Sequence, residues 1–274
     1  MIGQYLIAFR EVLEAALIIS IVLAYLSRTS RGRYSRYVWY GVFSATAASV
    51  VLGAIINAAY GGLSESVKPL FEGVAALIAV AVLSFMIYWM ATKGKELKAE
   101  VEQRVESMAT RGAAIGLVSF AFVAVFREGL ETVLFLTPFL VDDALGTVAG
   151  LLLGVVTAVV LAYGIFFAGM KISLRRFFYF TSILLVLLAA GLIGYGIHEL
   201  IEYTGPEAWG WLGQSAYNLN IPEGNLFHHK GAVGSIFAVM FGYTVRAEWA
   251  RVIIHVIYLA VVMPLVIWIY NTKR

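Results

Sequence analysis

The sequence predicts an all-α polytopic membrane protein: seven transmembrane helices, built as an inverted repeat of three plus three with one helix added. Three observations carry this expectation. The 274 residues are 61% hydrophobic and 14% charged; a soluble domain carries roughly 25% charged residues, so too few polar side chains remain to cover a water-facing surface. Seven apolar stretches are long enough to cross ~30 Å of hydrocarbon, which takes ~20 helical residues. One charged hexapeptide occurs twice, 117 residues apart: Phe9-Arg10-Glu11-Val12-Leu13-Glu14 and Phe126-Arg127-Glu128-Gly129-Leu130-Glu131.

The spans fall at about 4–26, 37–60, 70–92, 112–140, 145–169, 178–202 and 250–270. Backbone groups in lipid must bond internally, so these stretches read as helices and not as open strands. The first is a retained helix and not a cleavable leader: no basic region precedes it and Arg10 interrupts its apolar run. Segment 93–111 is polar and reads as a cytoplasmic linker or short helix, with Glu100 and Arg104 placed to pair at i, i+4. Pro138, inside the fourth span, should kink that helix or end it. Segment 203–249 is an external loop rich in aromatic residues; its apolar part 231–243 is too short to span and reads as interfacial or re-entrant. The organisation is then a first three-helix repeat (1–92), the linker (93–111), a second repeat (112–202), the external loop (203–249), and a seventh helix with a cytoplasmic tail (250–274).

Basic residues set the orientation. Arg28, Arg31, Arg33 and Arg36 follow span one; Lys93, Lys95, Lys98, Arg104 and Arg111 follow span three. Lys171, Arg175 and Arg176 follow span five, and Lys273 and Arg274 end the chain. The alternate loops hold few basic residues, and the loop after span four has Asp142 and Asp143 without a base. This alternation puts the N-terminus outside and the C-terminus in the cytoplasm of a cell-membrane protein.

The two motifs lie three spans apart. Three is odd, so the second copy runs antiparallel to the first, as in inverted-repeat transporters whose substrate site sits near the bilayer midplane. Glu11 and Glu14 follow Gln4 by roughly 11 and 15 Å of helix, which is mid-membrane depth. On a helix Glu11 and Glu14 are i, i+3 neighbours, so both carboxylates reach one cation, and Arg10 braces Glu14 at i, i+4. Arg127, Glu128 and Glu131 repeat the arrangement. Each central charge costs at least ~2.5–3.5 kcal/mol on insertion scales, which argues for function. Four carboxylates and two guanidiniums leave a negative site that suits a multivalent cation. Oxygen ligands favour hard cations, and Fe³⁺ is the hardest common candidate and the cargo expected first, although spacing alone does not separate it from Fe²⁺, Mn²⁺ or Mg²⁺. A structural alternative is an Arg–Glu pair within each helix that locks helices together; it leaves Glu11 unpaired in low dielectric unless Arg10 also meets Glu128 and Arg127 meets Glu11.

A second acidic set lies near the outer ends of spans three and six: Glu72, His198, Glu199 and Glu202. These residues could form an outer ion pathway. His228 and His229 belong to a polar loop, and His255 reads as a bundle-facing histidine with a satisfied ring. The absence of cysteine removes disulfides, Cys-ligated zinc and iron–sulfur clusters. No Walker A motif is present, so ATP hydrolysis by this chain is not expected. A retinal-type receptor needs a lysine in the last helix, and 250–270 has none. A membrane di-iron carboxylate oxidase is a competing class, although such centres favour Glu-x-x-His motifs and here both copies end in Glu.

The copies at 9–15 (FREVLEA) and 126–132 (FREGLET) resemble the oxidase-coupled high-affinity iron permease family. The resemblance extends over most of the chain: seven spans, motifs in spans one and four, and an aromatic outer loop before span seven. It implies an iron transporter and not an enzyme, with Glu11, Glu14, Glu128 and Glu131 as iron ligands and Arg10 and Arg127 as their partners. It likens Glu72 to the family's acidic residue in span three. Transported iron is the metal expected, with no resident cofactor and no nucleic acid. A separate ferroxidase or extracytoplasmic iron-delivery protein is the expected partner, and homo-oligomerisation is left open, as is Pb²⁺ or Mn²⁺ as cargo. Val12 departs from the family's glycine in the first copy.

Overall fold

The computed structural model describes residues 2–93, 97–109, 113–142, 144–166, 174–222, 224–229, 231 and 233–272. Lys95, Arg111, Asp143, Lys171, Lys230, Lys273 and Arg274, which enter the orientation argument, lie outside the described residues.

The long helices are α1 (Ile2–Arg28), α2 (Ser35–Gly61), α3 (Lys68–Lys93), α5 (Ala113–Asp142), α6 (Ala144–Phe166), α7 (Leu174–Thr204) and α9 (Trp249–Thr272), with the shorter α4 (Leu97–Ala109) and α8 (Gly234–Phe241) between them. Among the described residues, five helices are long and apolar enough to cross a membrane: α2, α3, α6, α7 and α9. The chain is thus an all-α polytopic membrane protein. Helices α1 and α5 are as long, with 27 and 30 residues, but each carries three charges in its middle. The three charges of each motif, and not a want of apolar residues, set these two helices apart from the five. α1 stops where Ser30 takes a left-handed φ of 58° and the Arg31 N–H returns to the Leu26 carbonyl at 2.8 Å.

The most extensive helix contacts are α2 with α5, α1 with α6, and α3 with α7; α9 packs on α7. The main core is shared by α3, α7 and α9 and reaches Ile7 and Phe135. A second core joins α1, α2 and the start of α5 through Val22, Leu26, Val38 and Leu117. Outward-facing apolar residues remain exposed on α2 (Phe43, Val50, Ile55) and α6 (Leu152, Val156, Val160). Such a surface suits lipid and not water.

α3 and α7 touch by backbone. A Cβ added to Gly73 would stand 3.0 Å from the Gly196 carbonyl oxygen, and one added to Gly196 would stand 3.1 Å from that of Gly73. A methyl group at either position would be crowded, and the facing carbonyl would have to give by a few tenths of an ångström.

Three local expectations take definite form. Segment 93–111 is more than a solvated linker: α4 seats Val101 and Val105, an i, i+4 pair, in the second core. Its polar face carries the expected pair, Arg104 Nη2 to Glu100 Oε1 at 2.7 Å. Pro138 does not end its helix, since α5 continues to Asp142. The apolar part of the external loop is the short helix α8, capped by Gly242 at φ 64°. The loop also holds an unexpected antiparallel pair, β1 (Ser215–Asn218) with β2 (Arg246–Glu248).

Candidate metal centre

α1 places Arg10, Glu11 and Glu14 on its buried side, at 2%, 1% and 6% exposure. Arg10 Nη1 donates to Glu11 Oε1 at 2.7 Å, and Arg10 Nη2 pairs with Glu14 Oε1 at 2.7 Å. One planar guanidinium therefore serves two carboxylates of its own helix through separate nitrogens, a fork that lysine lacks.

α5 supplies the second copy. Arg127 Nε donates to Glu131 Oε1 at 2.9 Å, with Glu128 Oε1 farther off at 4.0 Å. Glu128 and Glu131 are buried, whereas the Arg127 side chain is 46% exposed. The copies are thus alike in sequence and unlike in setting. The ion pairs run within each motif, as the intrahelical form of the structural alternative has them, and Arg10 takes Glu11 as well as Glu14; among the described residues the exchange of partners between motifs is not made.

The two helices bring three carboxylates together. Glu11, Glu128 and Glu131 each offer an oxygen, and these oxygens lie within 4.8 Å of one another. Glu11 Oε2, Glu128 Oε2 and Glu131 Oε2 are buried and have no hydrogen-bond partner among the described residues. Orphaned buried oxygens are rare and call for an explanation, and a cation is a direct one. Glu14 stands outside this trio, held by Arg10, but lines with Glu128 and Arg127 an adjoining cavity of ≈ 40 Å³. A single water needs roughly 10–15 Å³, so the cavity has room for a few waters.

Two residues that sequence reasoning missed come from α3. Met86 Sδ accepts from Arg10 Nη1 at 3.3 Å. The Trp89 ring faces the Arg127 guanidinium at 5.4 Å. An apolar residue inside an apolar span gives no signal that its partner is charged.

Gly129 has a packing reason. Ser49 of α2 occupies the place a side chain would need there. In the first copy Val12 packs instead beside the small residues Ala158 and Ala162 of α6, so a valine is accommodated.

Of the outer set, Glu72 is doubly bound. Tyr60 Oη donates to Glu72 Oε1 at 2.7 Å, and Tyr195 Oη donates to Glu72 Oε2. His198, Glu199 and Glu202 each place one ligand-type atom within 4.8 Å of the others, on successive turns of α7. His198 Nδ1 also meets both oxygens of Glu248, at 3.2 Å each. Burial pushes the Glu248 carboxyl up, but the His198 hydrogen bond and charge outweigh it and leave the group below its ordinary value. Glu248 was invisible in the sequence because its partner lies 50 residues away.

His255 Nδ1 lies 2.7 Å from the Ala190 carbonyl of α7, the satisfied bundle contact expected. His228 and His229 stack on each other with ring centroids 4.1 Å apart.

Known proteins resemble the chain along almost its full length. An uncharacterized protein of Archaeoglobus fulgidus is 46% identical over 267 residues, covering 97% of this chain and 94% of its own. A ferrous iron permease EfeU of Yersinia pestis is 35% identical over 262 residues, covering 94% of this chain and 90% of its own. A ferrous iron permease EfeU of Escherichia coli O6:H1 is 36% identical over 262 residues, covering 94% and 92%. No solved structure matches. Residues 1–268 match the iron permease FTR1 family, a span that holds both charged motifs and every long helix but the tip of α9, and the chain belongs to that family.

Proposed function

We propose that this chain is an iron permease whose cargo binds between α1 and α5. Glu11, Glu128 and Glu131 are the ligands, Glu14 stands beside them, and Arg10 and Arg127 hold the carboxylates in place. One observation carries the assignment: Glu11, Glu128 and Glu131 bring one carboxylate oxygen each within reach of a single ion, and each also has a buried Oε2 with no hydrogen-bond partner among the described residues. Fully ionised, the four glutamates and two arginines sum to a charge that one divalent ion balances. This favours Fe²⁺ as first cargo to test, in line with the name ferrous iron permease borne by the bacterial relatives, with Fe³⁺ second.

The architecture behind the site is an inverted repeat, α1–α3 against α5–α7, with α4 as connector and α9 as the added seventh span. Crossed packing supports it: α1 on α6 and α2 on α5 are the pairs that a twofold axis in the membrane plane would exchange. Each pair closes on a glycine. A Cβ on Gly154 would meet Tyr5, Ala8 and Phe9, and one on Gly41 would meet Val118, Ala121 and Phe122, the same i, i+3, i+4 footprint. The N-terminus lies outside and the C-terminus inside.

Iron enters past His198, Glu199 and Glu202, near the doubly bound Glu72, and reaches the central trio. Movement of one repeat against the other then exposes it inward. A potential of 100 mV supplies ~2.3 kcal/mol per elementary charge, or ~4.6 kcal/mol for a divalent ion. A ferroxidase or iron-delivery protein working outside the membrane would feed the path.

The test is radiolabelled iron uptake into proteoliposomes holding Glu11→Ala or Glu131→Ala protein, compared with Glu100→Ala as an exposed control. Uptake at the control rate in both site variants would falsify the assignment.

A further inference from the structure

A cavity of ≈ 620 Å³ opens among α7, α8, α9 and the external loop, and none of its lining residues belongs to the carboxylate centre. Its walls are largely apolar: Phe237 and Phe241 of α8 and Val256 of α9 line it, and all three are also exposed at the surface. One cation projects into it. Arg251 sits in the first turn of α9, and its stem lies over Gly194 of α7, where a Cβ would come 3.3 Å from Arg251 Cγ. Among the described residues no hydrogen bond holds the Arg251 guanidinium, although the charges of Glu248 and, farther off, Glu199 favour it. The acid nearest in sequence, Glu248, gives both its oxygens to His198.

A largely buried guanidinium whose donors no acceptor meets gains from an anion that hydrogen-bonds it directly, because the nearby carboxylate Glu248 is turned to His198. The setting names the kind of anion. Trp249 and Trp211 are exposed at the end of the bundle where α9 begins, and such aromatic residues mark the headgroup level of a bilayer. The first turn of α9 adds the positive end of its dipole. Below that level, Phe237, Phe241 and Val256 present the apolar surface an acyl chain would cover.

We propose that this cavity is a binding site for an anionic membrane lipid, with Arg251 holding the phosphate and the α8–α9 groove holding one acyl chain. Nothing in the iron pathway requires it, and the site stands or falls independently of the cargo.

The experiment is native mass spectrometry of the purified full chain in detergent. Dioleoylphosphatidylglycerol and dioleoylphosphatidylcholine are added in parallel, with and without millimolar inorganic phosphate. The expected result is about tenfold stronger retention of phosphatidylglycerol, the scale of one charged hydrogen bond. Arg251→Gln should erase that preference and Arg251→Lys should keep most of it. Val256→Trp fills the groove while leaving the charge and should lower retention of both lipids, which decides the matter if Arg251→Gln does not fold. Equal retention of the two lipids by the wild-type chain overturns the proposal. So does a preference that survives in folded Arg251→Gln, or unchanged retention in Val256→Trp. Displacement of the lipid by inorganic phosphate would reassign the site to a free anion, and a dimer that excludes lipid would reassign it to a second copy of the chain.

Discussion

Arg10 of α1 donates across 3.3 Å to Met86 Sδ of α3, and three residues further along α3 the Trp89 ring receives Arg127 of α5. A single helix therefore steadies the cations of both motifs. Its contacts are soft: a thioether is a weak acceptor and an aromatic face attracts a guanidinium without fixing its direction. The carboxylates impose the direction, and α3 fills the space behind.

Arg10 and Arg127 should respond differently to removal. Arg10 is sealed and pairs with two glutamates. Arg10→Ala leaves buried carboxylates uncompensated and should destabilise the fold by about 3–5 kcal/mol. Arg127 is half-exposed and pairs closely with one glutamate instead of two, so Arg127→Ala should cost less than Arg10→Ala. Thermal unfolding in detergent, followed by the loss of monodisperse protein, compares the two. Equal losses would contradict the burial difference.

Iron affinity should track the trio. Removing an outer partner of a metal ligand typically costs roughly 10–100-fold in affinity, and removing a ligand should cost at least as much. Glu11→Gln, Glu128→Gln and Glu131→Gln should each weaken Fe²⁺ binding by about tenfold or more in anaerobic calorimetry. Glu14→Gln, outside the trio, should weaken it less. A larger effect at Glu14 than at Glu11 would move the centre toward the ≈ 40 Å³ cavity.

Gly129→Ala should behave as an overpacked site, because Ser49 already fills the space. The expected loss is about 1–3 kcal/mol. Ser49→Gly in the same chain should restore most of the thermal stability, whereas Ser49→Gly alone should not raise it. A Gly129→Ala protein as stable as the parent would mean that α2 and α5 part easily.

Glu72 depends on its two tyrosines. Tyr60→Phe and Tyr195→Phe each remove one donor, and leaving a buried acceptor unmet costs about 1–3 kcal/mol. The double variant should lose more stability than either single and should slow iron uptake by freeing a carboxylate near the entry. If uptake rises with the double change, the tyrosines act as a brake on the pathway instead.

The central motifs were legible in the sequence because helix geometry is local. Four residues separate Arg10 from Glu14, and Arg127 from Glu131, and one helical turn makes both pairs. The same logic found Glu100 with Arg104. What stayed hidden depends on contacts between distant segments. Met86 and Trp89 look like any apolar residues of a span, and Glu248 gains meaning only from His198. β1 and β2 are four and three residues long, too short for an alternation to register against an aromatic loop. Val101 and Val105 were readable as an apolar stripe, but the surrounding charges of 93–111 outweighed two valines.

The crossing of Gly73 and Gly196 has a mechanical consequence. Helices that meet through side chains can shear, because rotamers give way; helices that meet through main chain have nothing to compress. α3 and α7 can then change their relation only by swivelling about that crossing, like scissor blades on their rivet. Displacement grows with distance from the rivet, so Glu72 and Tyr195, each next to it in sequence, would stay nearly still while Met86 and Trp89, more than three helical turns away, sweep the farthest.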